Sequence, residues 1–314
     1  MTTRDRADRC PGVLRPWIAD DGALVRLRLV GGRLPTESLS RLVRTSAEHA
    51  DGNLHLTSRA NVQLRALAHD DGCVSPAFVD AITEAGLLPS PTHELVRNIM
   101  VSPLSGRMGG RADLRPAADR FDELLRADPD LAGLSARFLV VLDDGRGDLA
   151  DRSLDLGAMA VDADSAQLRI GSDFWGEVIG LDDLPEALIA LAQRFLQVRT
   201  AAPGGGALRG SQARTSGTTG PRAAENAVWH VDELPDRGSD FAQPHHARDL
   251  RTHVTALPLP HGRIPQIDGL ETEHVAVPDG LLTPDLARQV LAHAGPEIVV
   301  TPWRSLLLPD LEPA

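Results

Sequence analysis

All 32 basic side chains of this 314-residue chain are arginines, because the sequence holds no lysine. A guanidinium is always charged and planar, and it grips a carboxylate with two parallel hydrogen bonds, so the question is where several are gathered. Four stand at what read as strand ends. Arg28 precedes Gly31-Gly32, Arg59 sits in the polar break of "LHLTSRANVQLRAL", Arg97 opens "RNI", and Arg137 opens "RFLVV". Brought together in a concave site that excludes water, such groups bind a polyanion; left apart, they are solvated surface cations. Asn61, Gln63 and Arg65 follow Arg59 closely and add amide and guanidinium donors to the same corner.

Other chemistries are excluded by composition. Without lysine there is no Schiff-base nucleophile, no pyridoxal-phosphate attachment point and no P-loop lysine. The two cysteines, Cys10 and Cys73, are far apart in unrelated contexts and write neither a disulfide framework nor a zinc or iron-sulfur motif. In "QPHHARDLRTH", His245, His246 and His253 have no carboxylate or cysteine at a ligand-like spacing, so the segment reads as a solvated loop and no metal site is expected. A net charge of −12 and a pI near 5.3 argue against a nucleic-acid partner, and any anion must be met in a local pocket. No run reaches the roughly 18 apolar residues of a membrane helix, and the polar start "MTTRDRADRCPG" has no apolar core of a signal peptide. The expectation is a soluble, cytoplasmic protein with no membrane partner.

The elements that would position the arginines follow from periodicity. "GALVRLRLVGG" alternates as a strand that stops at a turn; "PTESLSRLVRTSAEHADG" carries Leu39, Leu42 and Val43 on one helical face, with Thr36 as its N-cap and Gly52 as its stop. The "LHLTSRANVQLRAL" stretch reads as two strands meeting at a corner, and a helix is expected from about Ser75 to Ala85. Strand, helix, strand, strand, helix is an α+β unit of the ferredoxin-like kind over residues 1–90. Residues 91–200 form a second unit, with strands at "RFLVVLDDG", "DLGAMAVDA" and "AQLRIGS" closed by the helix "LDDLPEALIALAQRFLQVR". Glycine-rich 201–240 has the composition of a flexible linker. Over 241–314 an echo appears: "EIVVTPWRSLLLPDL" lies without a gap on "NLHLTSRANVQLRAL", with Thr301 on Thr57 and Leu308 on Leu64. The chain is read as an internal repeat whose halves pair about a pseudo-two-fold axis, the second copy carrying Trp303 and Leu307 in place of Arg59 and Gln63.

In that order, "LVRLRLVGGRL", "LTSRANVQLRAL" and "RNIMVSPLSG" resemble the sulfite and nitrite reductase family. "CPGVLRPWIADDGALVRLRLVGG", "RFLVVLDDGRGD" and "VVTPWRSLLLPDL" look most like its precorrin-3B synthase branch. The resemblance implies duplicated ferredoxin-like half-domains around a nitrite/sulfite reductase-type α/β domain. It also implies an oxidoreductase of aerobic cobalamin biosynthesis that hydroxylates precorrin-3A with dioxygen and forms a lactone. Family members use a four-iron, four-sulfur cluster and siroheme or iron, with an electron-donor protein or NADH-linked reductase as partner. Carried over by motif, Arg59 and Gln63, with Asn61 and His55 beside them, would contact tetrapyrrole carboxylates; Arg28, Arg97 and Arg137 would face the small substrate or the distal side. His55 stands where reductases often carry another arginine and Leu139 where they carry a second lysine, which suits a polycarboxylated tetrapyrrole better than sulfite or nitrite. The family's cluster cysteines have no counterpart in Cys10 or Cys73. A chain interrupted before its cluster region is therefore expected, the alternatives being a non-catalytic tetrapyrrole-binding protein or a sulfite/nitrite reductase fragment.

Overall fold

The computed structural model describes residues 10–201, 228–242 and 259–313; His245, His246 and His253, and residues 202–227 of the glycine-rich segment, lie outside them. The first half runs through β1 (Trp17–Ala19), β2 (Gly22–Leu27), β3 (Arg33–Pro35), α1 (Thr36–His49), β4 (Leu54–Leu56) and β5 (Val62–Leu67). A hairpin of β6 (His69–Asp70) and β7 (Cys73–Val74) then leads to α2 (Pro76–Glu84). β2 buries Ala23, Val25 and Leu27 and turns Leu24 and Arg26 to the other face, the period of a strand with one wet side. Ser75 caps α2 by accepting from the Phe78 N–H at 3.2 Å. Thr36 does not cap α1 as its position suggested. It is the first helical residue, and its hydroxyl donates instead to the Gly295 carbonyl at 2.5 Å, tying the two halves together.

The middle unit comprises β8 (Ile99–Val101), α3 (Arg115–Ala127), β9 (Val140–Asp143), β10 (Leu156–Ala160), β11 (Ser165–Ile170), β12 (Phe174–Gly180) and α4 (Leu184–Ala201). β8, β9 and β10 are parallel, while β11 and β12 turn back antiparallel. Phe121 of α3, Phe195 of α4 and Phe138 fill its core. Residues 228–242, expected as linker up to residue 240, are packed here. A 3₁₀ turn at Val231–Glu233 and the short α5 (Ser239–Ala242) bury Val231, Leu234 and Phe241 in the same core, because this stretch restores the apolar side chains that the glycine-rich stretch lacks.

The second half repeats the first: β13 (Gly262–Pro265), β14 (Glu271–Val275), β15 (Leu281–Leu282), α6 (Pro284–His293), β16 (Glu297–Val300) and β17 (Leu306–Leu311). The two halves exchange strands. One sheet has the order β1-β2-β5-β4-β15 and the other β13-β14-β17-β16-β3, so each half lends its short central strand to the other's edge. Their helices α1 and α6 and both sheets share one apolar core containing Leu39, Leu42, Ala287 and Val290. The crossings require close backbone approach. A Cβ on Gly32, at φ +73°, would sit 2.2 Å from the Val300 carbonyl, and one on Gly280, at φ +70°, 3.1 Å from the Leu56 carbonyl.

The polar corners match atom for atom. In the first half Thr57 N–H donates to the Asn61 carbonyl at 2.9 Å, and Asn61 N–H donates to Thr57 Oγ1 at 3.1 Å. In the second, Thr301 and Ser305 make the same two bonds at 2.9 and 3.2 Å. Ala60 (φ 56°) and Arg304 (φ 62°) occupy the same left-handed position. Among the described residues no helix is long and apolar enough to cross a membrane.

Candidate functional site

The first-half corner points Arg59 toward the middle unit, where its Nη1 donates to the Arg137 carbonyl at 3.3 Å. Arg137 is not in a strand, as its place before "FLVV" suggested. It lies in a turn closed by Ser135, whose Oγ accepts the Arg137 N–H at 3.1 Å, three residues before β9. Two adjoining clefts share these arginines. One, of about 440 Å³, is lined by Cys10, Pro11, Thr57 and the guanidiniums of Arg26, Arg59 and Arg137. The other, of about 300 Å³, runs from Arg59 and Arg137 to Trp229, His230, Asp232 and Glu233.

Each arginine is held from outside. Gln63 pairs with Arg26 across β2 and β5 and, in the amide orientation that satisfies both groups, accepts from its Nε at 3.0 Å and a terminal nitrogen at 2.6 Å. Arg137 lies over the Trp229 ring, 5.5 Å from its centroid. The cleft rim "CPG" is fixed by Glu94, whose carboxylate accepts the Val13 and Leu14 N–H groups at 2.7 and 3.0 Å, and by Arg28, which donates to the Pro11 carbonyl at 3.2 Å. Burial first, and then the like charge of Arg59, lower the proton affinity of the Arg26 guanidinium, while Cys10 opposes them. A site that accumulates positive charge in this way is stabilised by an anion. None of the three guanidiniums is ion-paired to a carboxylate among the described residues, whereas Arg97, Arg107, Arg115 and Arg146 are each locked to an aspartate.

Of the residues expected at the site, the structure therefore brings together Arg59 and Arg137 and gives Gln63 an indirect place behind Arg26. The others are elsewhere. Arg97 makes a buried two-point pair with Asp122, at 2.5 and 3.0 Å, and does not reach the cleft, because Asp122 on α3 already satisfies it. Arg28 is buried against Asn98 Oδ1 at 3.1 Å and supports the rim rather than lining it. Asn61 is a structural tie, its Oδ1 accepting the Leu29 N–H at 2.9 Å. His55 faces Asp51, 2.7 Å away, on the wet side of β4. Arg26, Trp229 and His230 were not expected. Arg26 becomes visible only once the β2–β5 register sets it beside Gln63, and the other two lie within the segment 201–240 read as linker.

Behind the second cleft, Asp155 at the end of the loop before β10 accepts the N–H groups of Leu139 and Val231, at 2.8 and 2.9 Å, and so clamps the 228–234 segment to the sheet. Burial pushes its carboxyl up to about 8, against the pull of those N–H groups and of Arg59.

Comparison with known proteins follows this geometry. Residues 19–71 match the sequence model of the nitrite/sulfite reductase ferredoxin-like half domain. The chain thus has an α+β nitrite/sulfite reductase fold carrying that family's half domain. Among individual proteins, it is 29% identical over 141 residues to a precorrin-3B synthase of Sinorhizobium sp., a match covering 45% of this chain and 29% of that protein. The structure of the Mycobacterium tuberculosis NirA protein superposes with a TM-score of 0.67 at 17% identity, covering 94% of this chain and 56% of that one. The matched regions span less than two thirds of either protein's length.

That family binds siroheme and iron-sulfur clusters, and the residues present fit the two groups unequally. The arginine cleft suits the carboxylate edge of a tetrapyrrole. A four-iron cluster needs a set of thiolates, and the sequence offers Cys10 on the cleft rim and Cys73 exposed on β7. These two do not furnish one.

Proposed function

We propose that the chain binds a polycarboxylated tetrapyrrole in the Arg26, Arg59 and Arg137 cleft, as a precorrin-3B synthase-like protein of aerobic cobalamin biosynthesis. The observation that carries this reading is the convergence on one cleft of three guanidiniums, Arg26, Arg59 and Arg137. The similarity to a precorrin-3B synthase over 141 residues supports it. Each guanidinium offers a planar fork to a carboxylate, and the partial exclusion of water makes each such pair stronger than on an open surface. Leu139, buried and lining the second cleft, removes a cation that a small inorganic anion such as sulfite would need.

In this role the residues present bind and orient the macrocycle, with Gln63 and Trp229 fixing Arg26 and Arg137. Hydroxylation and lactone formation on precorrin-3A belong to the same reading, as do a cytoplasmic location and an electron-donor protein or NADH-linked reductase partner. A second reading, a tetrapyrrole-binding protein without catalysis, rests on the same cleft.

Uroporphyrin, a fluorescent octacarboxylate, tests the shared claim by anisotropy titration. The parent chain is expected to bind it, Arg59→Ala and Arg137→Ala each weakening binding about tenfold to a hundredfold, from the roughly 1.5–3 kcal/mol of a hydrogen bond to a charged group. Arg120→Ala, at an exposed pair with Glu186, should leave binding unchanged. Undiminished binding by the Arg59→Ala Arg137→Ala double variant would remove the ligand from this cleft.

A further inference from the structure

Of the three arginines in the cleft, Arg137 is exposed, while Arg26 and Arg59 are half-buried. Its backbone is pinned at both polar groups: Ser135 Oγ accepts its N–H at 3.1 Å, and its carbonyl accepts from Arg59 Nη1 at 3.3 Å. Its guanidinium lies over the Trp229 ring, 5.5 Å from the centroid, and that ring is buried. A flat cation laid on a buried indole has one face covered, so the exposure of Arg137 falls on the opposite face and the edges. Arg137 lines both clefts. Leu139, two residues on, lines the second cleft with it and is buried, while Phe138 between them turns into the core. The planar cation therefore has an apolar wall in the same cleft.

We propose that Arg137 selects the ligand of the cleft by its face as well as by its charge. The ligand lays a flat conjugated surface on the guanidinium and completes a stack of indole, cation and ligand, while Arg26 and Arg59 take its carboxylates. The inference rests on the anion-binding reading of the cleft but not on the ligand being a tetrapyrrole; the class it names is a rigid, planar, conjugated polycarboxylate. A guanidinium is weakly hydrated and stacks on aromatic faces, and the electron-rich face of a ring attracts a cation set over it. Because Trp229 already holds Arg137 in place, the ligand meets a plate that loses little freedom when it binds. A saturated ring of the same charge keeps the Coulomb attraction and forfeits the face. Lysine at this position would keep the charge and lose the plate, since an ammonium is a compact, strongly hydrated point. Arg137 on this account decides which anion is held, and Trp229 positions it.

Two tricarboxylates separate the face from the charge. Trimesate (benzene-1,3,5-tricarboxylate) and cis,cis-cyclohexane-1,3,5-tricarboxylate carry the same carboxylates on a rigid six-membered ring, flat in one and puckered in the other. Their affinities for the whole chain are measured by isothermal titration calorimetry at neutral pH and one ionic strength, together with the Arg137 Nε–H NMR signal, identified by its loss in Arg137→Lys. The parent is expected to favour trimesate about fivefold to tenfold, the range of a cation-π contact. Trimesate should also shift Arg137 Nε–H upfield through its ring current, and the cyclohexane acid should not. Arg137→Lys should reduce the preference to about twofold or less, whereas Arg59→Lys should weaken both ligands and keep the ratio. Equal binding of the two rings by the parent, or an undiminished preference in Arg137→Lys, overturns the proposal. If trimesate is preferred through Arg137 but uroporphyrin does not bind, the tetrapyrrole reading falls and the selection by face stands. If uroporphyrin binds through Arg59 and Arg137 while the two rings are indistinguishable, the reverse holds. Failure of the tricarboxylates and of uroporphyrin to bind removes both.

Discussion

Trp229 and Arg137 form the contact on which the geometry of the cleft turns, because a guanidinium on a loop is held in one place only by what it stacks on or bonds to. The ring is almost fully buried, at 4% exposure, and lies beneath the cation. Trp229→Ala is expected to weaken uroporphyrin binding about fivefold to tenfold, in line with the roughly 0.5–2 kcal/mol of a cation-π contact, whereas Trp229→Phe keeps most of it. Anisotropy titration checks both; a stable fold with parent affinity in Trp229→Ala would show that Arg137 is held by its backbone turn alone. At this scale the sequence was partly legible. Arg59 was found because a polar corner between two strands is conspicuous, and Arg137 because it precedes an apolar run. Arg97 looked equivalent, since nothing in "RNI" announces that Asp122, 25 residues away, neutralises it. Arg26 was hidden for the converse reason, as its role depends on strand register.

At the scale of elements, the corner and the crossing make separate predictions. Thr57→Val removes the acceptor of the Asn61 N–H and should destabilise the chain by about 1–3 kcal/mol in urea denaturation. Gly32→Ala should cost more, about 2 kcal/mol or above, since it combines a left-handed φ with a clash against the Val300 carbonyl. The Asp155 clamp gives a pH dependence. Its carboxyl holds its proton in the folded state up to about pH 8 but loses it near 4 when unfolded, so between those values the unfolded chain binds fewer protons and stability falls as pH rises. Asp148, buried beside Asp143 and pushed up to about 7, adds to the same slope. Denaturation midpoints from pH 4 to 8 should decline accordingly, with a slope of at most about 1.4 kcal/mol per pH unit per carboxyl, and Asp155→Asn should flatten the decline. Strands β2, β4, β5 and β9 to β11 and helices α1, α2 and α4 were readable from period and caps, whereas α3 and β12 were not read. The exception at Thr36 arose because the hydroxyl had a partner in the other half that local sequence does not reveal.

For the whole molecule, strand exchange makes the two halves a single folding unit despite the middle unit inserted between them. Leu34 on β3 and Leu282 on β15 are both buried in the shared core, each contributed to the other half's sheet. Leu34→Ala and Leu282→Ala should each cost about 2–5 kcal/mol and lower hydrogen-exchange protection in β4 and β16 together; loss confined to one sheet would contradict the coupling. The repeat itself was legible, because "TPWRS" and "TSRAN" keep their threonine and spacing. The exchange was not, since β15 is two residues long and no periodicity can mark it. The burial of Trp229 against the cleft has an optical consequence. The chain has four tryptophans and no tyrosine, so all of its intrinsic ultraviolet emission comes from indoles, and one of these touches the arginine cleft. Any conjugated macrocycle entering there would drain that indole's excited state by resonance energy transfer, so the protein carries a built-in spectroscopic ruler at its own binding site.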